Sequence, residues 1–421
     1  MCGIFCAFGI NEAKLNIDSQ YLIAQTKRLM RRRGPDEFNV ILDENRKYFI
    51  AHSRLAIQGV NSKIKQPFEC SNGAILTYNG EIYNKDDLCP NNISSECDTP
   101  IFAYQLLKGK VGLDNIDGMY SFVEFNGITN RIRYGRDRFG EKPLKIIIRD
   151  NIVFLFSEPS YIPIVSLICG YAPKIDYDFC ERYILHGYRQ VNDKARGITI
   201  HENVNDVKPG SIHTLDLRSG KITEEYITSI REIFEGAKSE NYSQDEINEV
   251  LRSEISKRCI SESKTGICLS GGIDSNVVMS VLAKSNNPPI KCFTIKSDDP
   301  RYNESDLASK AASIYNTEHK LVNINKHSVN PLENFIALTK ERNTPFFTMS
   351  SFVSTYIAEA AHEENIKVIF GGSGGDEIFS GYYDYFYYRM MSKDYTQEER
   401  NDFMEKIFPH IKNPIMRKGI E

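Results

Sequence analysis

Leu269-Ser270-Gly271-Gly272-Ile273-Asp274-Ser275 is the stretch that decides the architecture of the second half of this chain. It follows a strand-length apolar run at residues 266–269 and opens a helical pattern over 275–284. Glycines let a backbone come close to an anion, and a helix N-terminus offers unpaired N–H groups to phosphate. No Gly-Lys-Ser/Thr closes the loop, which excludes a Walker loop. Working outward, helices are expected over 244–258, 304–315, 331–339, 350–363 and 376–391. Strands are expected over 290–295, 320–324 and 367–370. Strand and helix in alternation predict a doubly wound parallel sheet with ligands at the carboxyl ends of its strands.

The first half has a different rhythm. Strand-length apolar segments fall at 4–8, 48–57, 74–78, 119–125, 131–134, 144–148 and 152–156, with helices only at 18–32 and 99–107. In the first helix Leu22, Ala24, Leu29 and Met30 form the expected apolar stripe. Residues 198–226, with Lys208-Pro209-Gly210 at a turn, are expected to add strands that close this unit. Two packed sheets flanked by helices follow. The expected domains are 1–226 and 244–421, joined by a linker at 227–243. The tyrosine-rich run 382–388 reads as a helix packing at an interface.

Composition narrows the function. Lys plus Arg number 52 against 56 Asp plus Glu, a net charge of −4 over 421 residues. That balance argues against nucleic acid as the main partner. No apolar run reaches the length of a membrane span, so no membrane partner is expected. The start of the chain lacks the pattern of an export signal. Ten cysteines without a CxxC pair fit neither a zinc site nor a disulfide framework. A cytoplasmic location is the expectation, with most cysteines acting as buried small apolar groups.

Cys2 is the exception. Removal of the initiator methionine leaves a residue with both a thiol and a free α-amino group, a nucleophile carrying its own base. Further motifs accompany it: Arg31-Arg32-Arg33-Gly34-Pro35-Asp36, Ala51-His52-Ser53-Arg54-Leu55-Ala56-Ile57, Tyr78-Asn79-Gly80-Glu81-Ile82-Tyr83-Asn84, Asp117-Gly118-Met119-Tyr120-Ser121-Phe122 and Gly135-Arg136-Asp137-Arg138-Phe139-Gly140. Together they resemble the class II glutamine amidotransferases, specifically the glutamine-hydrolysing asparagine synthetase family, over residues 1–226.

The resemblance implies an N-terminal nucleophile αββα sandwich followed by an ATP pyrophosphatase-type domain. It implies that Cys2 attacks the side-chain amide of glutamine, and that the Asn79 amide and Gly80 N–H form the oxyanion hole. Arg54, Leu55, Ala56, Ile57, Asn79, Gly80 and Glu81 are the implied glutamine-binding set, with Arg54 gripping the α-carboxylate. Where the family has Ser-Asp-x-Glu, this chain has Ser95-Glu96-Cys97-Asp98. Glu96 is the positional counterpart for the substrate amino group, and Asp98 an alternative.

The Ser-Gly-Gly-x-Asp-Ser form looks like the loop of the ATP pyrophosphatases. It implies ATP binding by Leu269, Ser270, Gly271, Gly272, Asp274 and Ser275, with Ile295 beside the adenine and Gly371 and Gly372 from a second loop. Asp274 and Asp376 are the implied carboxylates for Mg²⁺. Asp299-Pro300-Arg301-Tyr302-Asn303-Glu304 and the run 369–382 match further family segments. Two departures stand out. Ser373 replaces the Glu of the family's Ser-Gly-Glu-Gly, and forty residues follow Gly381, so a shortened C-terminal helical region is expected. None of Lys393, Lys406, Lys412 and Lys418 maps onto the family's C-terminal lysine.

The expected partners are glutamine, ATP and a carboxylate acceptor, by default aspartate, with a homodimer allowed for. Two alternatives stay open: another acceptor such as a sugar-linked carboxylate, or a regulatory protein with a degenerate synthetase half.

Overall fold

The computed structural model describes residues 1–421 apart from 92, 94–95, 187–198, 238–241, 260, 285–289, 301–302, 325–329, 347, 393–394, 407 and 411–421. The first half contains two antiparallel six-stranded sheets. One runs, edge to edge, Asn205–Asp206, Lys145–Arg149, Ile152–Phe156, Gly3–Gly9, Tyr48–Arg54 and Glu37–Leu42. The other runs Ile222–Tyr226, Ser211–Asp216, Arg131–Arg136, Gly118–Asn126, Ile75–Ile82 and Phe68–Glu69. Period-two alternation sets the layers. Ile4, Cys6 and Phe8 point to the second sheet and pack with Val123, Phe125, Ile132 and Leu215. Phe5 and Ala7, on the opposite face of the same strand, meet Leu22 and Met30 of helix Ser19–Met30 and Val165 of helix Ile162–Cys169. On the far side, Leu76, Tyr78 and Phe122 pack against Ile101, Phe102 and Leu106 of helix Asp98–Leu107. The expected αββα order is present.

The second half is a four-stranded sheet in the order Glu318–Asn323, Lys291–Lys296, Thr265–Cys268, Val368–Phe370, with every pair parallel. In chain order this is third, second, first, fourth. Helices cover both faces. Met279 and Leu282 with Ala308 and Ala311 pack on Ile267 and Cys292, while Phe352, Tyr356 and Ile357 pack on Phe293 and Val322. The sheet is doubly wound, as expected.

Three local expectations are corrected. Ala24 is exposed, and Thr26 takes the buried position between Leu22 and Met30. The spacing of four residues between these groups keeps one face inward, whereas Ala24 is two positions off it. The helix expected over 376–391 is two helices, Gly375–Phe379 and Tyr383–Met390. Ser380 has φ +58°, a left-handed conformation that ends a right-handed helix. The strand expected over 74–78 runs to Ile82, because Asn79, Gly80 and Glu81 stay in register with Ser121, Tyr120 and Met119.

Among the described residues, no helix is long and apolar enough to cross a membrane. All ten cysteines are free.

Candidate active site

Antiparallel pairing of Gly3 with Ser53 places Cys2 opposite the end of the Tyr48–Arg54 strand. The Cys2 thiol faces the Leu55 carbonyl at 3.8 Å, and the Arg33 Nε donates to the Cys2 carbonyl at 2.8 Å. Arg33 is itself held by Glu158 at 3.1 Å. Burial raises the thiol pKa; the Leu55 contact and the neighbouring amino terminus oppose that shift.

A small cavity of about 30 Å³ collects Cys2, Arg54, Leu55, Ile57, Gly80 and Glu81 from the expected set. Asp98 lines it too. Glu96 does not; its residue is exposed, and its neighbour Ser95 lies outside the described residues. The reason is the start of helix Asp98–Leu107, which turns Asp98 inward so that its Oδ2 accepts from Ile82 N at 3.0 Å and from Tyr78 Oη at 3.2 Å. Ala56 also falls outside the cavity wall. Its N–H donates to Asp36 Oδ2 at 2.6 Å, and its carbonyl accepts from Ser263 and Lys367 of the second half at 3.0 and 3.4 Å.

Asn79 lies between two cavity residues, Tyr78 and Gly80, on the Ile75–Ile82 strand. It is 2 % exposed, and its Nδ2 is buried with no hydrogen-bond partner among the described residues. A buried amide donor left unsatisfied costs stability and is uncommon unless a ligand completes it. Arg54 differs from the open fork that the sequence suggests. Its Nη1 pairs with Glu37 at 2.6 Å, and its Nη2 donates to the carbonyls of Gln58 at 3.1 Å and Gly59 at 2.6 Å.

Two recessed carboxylates share the cavity. Burial is the main cause that pushes Glu81 up to about 8, with Asp98 adding to it. Burial likewise raises Asp98, against hydrogen bonds from Ile82 and Tyr78. Burial also lowers the Lys142 ammonium, and Glu81 opposes that shift. Lys142 carried no signal in the sequence beyond standing two residues after the Gly135–Gly140 motif.

In the second half both glycine-rich loops end adjacent strands. Thr265–Cys268 leads into the first loop and Val368–Phe370 into the second. The order of the sheet reverses between these two strands, and this is where open α/β sheets bind ligands. Leu269 anchors the first loop, its N–H donating to Phe293 O at 2.9 Å and its carbonyl accepting from Thr294 Oγ1 at 2.6 Å. Ser270 and Ser275 tie the turn together through their hydroxyls at 2.9 Å. Gly271 N donates to Glu304 Oε2 at 3.0 Å, and Gly272 is the N-cap of helix Ile273–Leu282. Ile295 stands near the carboxyl end of the next strand, and Gly371 and Gly372 directly follow the fourth.

The loops touch. A Cβ on Gly375 would stand 2.6 and 2.7 Å from the Asp274 carboxylate oxygens, and one on Gly372 would meet Ser275 N at 2.6 Å. Only glycine permits that approach. Asp376 is the next residue, and it turns toward Gly381. Neither Asp274 nor Asp376 has a hydrogen-bond or ion-pair partner among the described side chains. No group of three or more metal-ligating side chains occurs among the described residues. Arg301 and Tyr302 of the third segment, and Lys393, Lys412 and Lys418, lie outside the described residues.

Comparison with known proteins agrees with this division. Residues 1–227 match the model of the glutamine amidotransferase domain, and residues 246–413 match that of asparagine synthase. A sandwich with a terminal cysteine site, joined to a parallel-sheet synthase unit, defines the class of two-domain glutamine amidotransferases. The chain belongs to the glutamine-hydrolysing asparagine synthetase family. It is 26% identical to asparagine synthetase [glutamine-hydrolyzing] 1 of Bacillus subtilis, over 91% of this chain and 59% of the relative. It is 23% identical to asparagine synthetase B of Escherichia coli, over 94% and 67%. The chain thus spans less than two thirds of the length of the Bacillus relative. The structure of the allosteric regulatory enzyme of purine biosynthesis overlaps with a TM-score of 0.39 at 13% identity, over 84% of this chain and 91% of that one. That overlap is too loose to transfer residue roles.

Proposed function

We propose that this chain hydrolyses glutamine at Cys2 and uses the ammonia to amidate a carboxylate activated by ATP. The reading rests on one observation above others: Cys2, Arg54, Gly80, Glu81 and Asp98, from four separate segments, line one cavity next to the Asn79 amide, whose Nδ2 has no partner among the described residues. The domains are 1–226 and 244–421, with 227–243 as the linker.

After loss of Met1, the Cys2 α-amine takes the thiol proton, and the sulfur attacks the carboxamide carbon of glutamine. The carbonyl π electrons move to oxygen, where Asn79 Nδ2–H and Gly80 N–H receive the charge. The C–N bond breaks as the amine returns the proton to nitrogen, leaving ammonia and a thioester that water hydrolyses to glutamate. Arg54 grips the α-carboxylate at the edge of its network with Glu37, and Glu81 and Asp98 receive the α-ammonium. Asp98 replaces Glu96 in this reading.

In the second half, an acceptor carboxylate attacks the α-phosphorus of ATP and displaces pyrophosphate. Ammonia then displaces AMP, a far better leaving group than oxide. Backbone groups of Leu269, Ser270, Gly271, Gly272 and Ser275, with Gly371 and Gly372, are the phosphate and nucleotide cradle, and Ile295 flanks the base. Asp274 and Asp376 fit a hard divalent cation: both are carboxylates without partners among the described side chains, on touching glycine-rich loops. Mg²⁺ there would neutralise the pyrophosphate oxygens.

Aspartate is the default acceptor, but Ser373 favours a second reading. A zwitterionic acceptor needs negative charge for its ammonium, and the family Glu that could supply it is a hydroxyl here. A carboxylate without an ammonium suits that site better. ATP–pyrophosphate exchange over a panel of carboxylates tests both readings. Exchange with aspartate supports asparagine synthesis, exchange only with other carboxylates supports the second reading, and exchange with none points to a regulatory protein with an inactive synthetase half.

A further inference from the structure

Gln58 follows Arg54 by four residues and lines the same cavity as Cys2 and Glu81. It is 7 % exposed, and both ends of its amide are engaged. Nε2 donates to Glu81 Oε2, and Oε1 accepts from Lys85 Nζ, the latter at 3.0 Å. The main-chain carbonyl of Gln58 accepts from Arg54 Nη2 at 3.1 Å. One residue therefore touches both Arg54 and Glu81, the charged groups assigned above to the two ends of the glutamine α-carbon. The amide has a single useful orientation. An ammonium cannot accept and an ionised carboxylate cannot donate, so a flipped amide would lose both contacts. The second Glu81 oxygen, Oε1, has no hydrogen-bond partner among the described residues. One carboxylate oxygen is tied, and the other is left for a ligand.

We propose that Gln58 is a positioning residue that makes the site selective for the α-ammonium of glutamine: its amide fixes Glu81 Oε2 and leaves Oε1 to receive that group. The inference rests on the reading of this cavity as the glutamine site. A carboxylate in a closed cavity favours its protonated form, and a protonated Glu81 offers no charge to an ammonium. Burial and then Asp98 push Glu81 that way, while Lys142, the Gln58 hydrogen bond and Lys85 push back. The Lys85 contact strengthens the Gln58 contact, because an amide oxygen that accepts from an ammonium makes the amide N–H a better donor. Standing between the two charges, the amide lets Lys85 act on Glu81 without its ammonium filling the place of the substrate's.

Two ligands separate this role from a merely structural one. Glutamine carries the α-ammonium; glutaramate, the monoamide of glutaric acid, has hydrogen in its place. Calorimetric titration of the full chain carrying Cys2→Ala reads both without turnover. In that background Gln58→Met keeps the side-chain volume and the main-chain carbonyl that holds Arg54. It should weaken glutamine about tenfold or more at pH 7, the scale of one hydrogen bond to a charged group, and change glutaramate by less than about twofold. Gln58→Glu keeps an acceptor for Lys85 but loses the donor and sets a like charge beside Glu81, so it too should weaken glutamine about tenfold or more. Once Glu81→Gln is present, Gln58→Met should weaken glutamine little further, since the two residues act as one unit. Equal weakening of both ligands by Gln58→Met places its effect at Arg54 or in the fold and overturns the proposal. Unchanged glutamine affinity, or a full further loss in the Glu81→Gln chain, overturns it as well. Failure of the Cys2→Ala chain with Gln58 intact to bind either ligand overturns instead the glutamine reading on which it rests.

Discussion

Glu262 receives the backbone N–H groups of Gly59 and Val60 at 2.8 and 3.0 Å. Its own N–H donates to the Ile57 carbonyl at 3.0 Å. A residue three positions before the Thr265–Cys268 strand therefore clasps the loop whose Gln58 and Gly59 carbonyls hold Arg54. Ser263 and Lys367 reinforce the contact at Ala56.

Removing the clasp should loosen the glutamine site from across the boundary. Glu262→Ala is expected to raise the glutamine KM several-fold, with a smaller effect on any ammonia-dependent reaction. Steady-state kinetics with each nitrogen donor measures both, and an unchanged glutamine KM would speak against the coupling.

Arg54→Lys removes a planar fork that a point charge cannot replace. Losing one partner of a buried charge pair costs about 2–5 kcal/mol. The glutamine KM should rise at least tenfold, and ammonia-dependent activity should persist. A KM within twofold of the natural chain would refute the role.

Glu81 predicts a pH dependence of glutamine binding. Its carboxyl is raised to about 8, so it is neutral at lower pH and cannot attract the α-ammonium of glutamine. Glutamine should bind more tightly as pH rises from about 6 to about 8, by at most about tenfold per unit. Glu81→Gln should flatten that profile. The stability consequence has the opposite direction. The folded chain keeps this proton up to about 8 while the unfolded chain loses it near its ordinary value of 4.5. This group alone makes the fold less stable as pH rises between those values.

Asp274→Asn and Asp376→Asn should each weaken Mg·ATP binding about tenfold or more and change metal-free ATP binding much less. Calorimetry with and without Mg²⁺ checks this. Equal losses in both conditions would remove the metal role.

The parallel sheet was legible because its strands are short apolar runs bounded by glycine-rich loops, and Gln244–Arg258 appeared with the same bounds in sequence and structure. The Glu37–Leu42 edge strand was not legible, since every residue in it is half-buried and no period stands out. Asn79-Gly80-Glu81 fell beyond the strand expected over 74–78 for the same reason it matters: polar groups inside a buried strand are tolerated where a ligand can satisfy them. In the site, Cys2 stood out by type and position, whereas Arg54 and Gly80 came from the family resemblance; the three line one cavity. That Asp98 and not Glu96 lines the cavity depends on the helix that begins at Asp98. Glu37 and Glu262 act through contacts between distant segments, and no local pattern announces those.

The central claim is that Cys2 hydrolyses glutamine, and glutamate release by the natural chain and by Cys2→Ala measures it most directly. The account predicts steady release of glutamate and ammonia in equal amounts by the natural chain and none above background by the variant. Equal rates in the two proteins would contradict it.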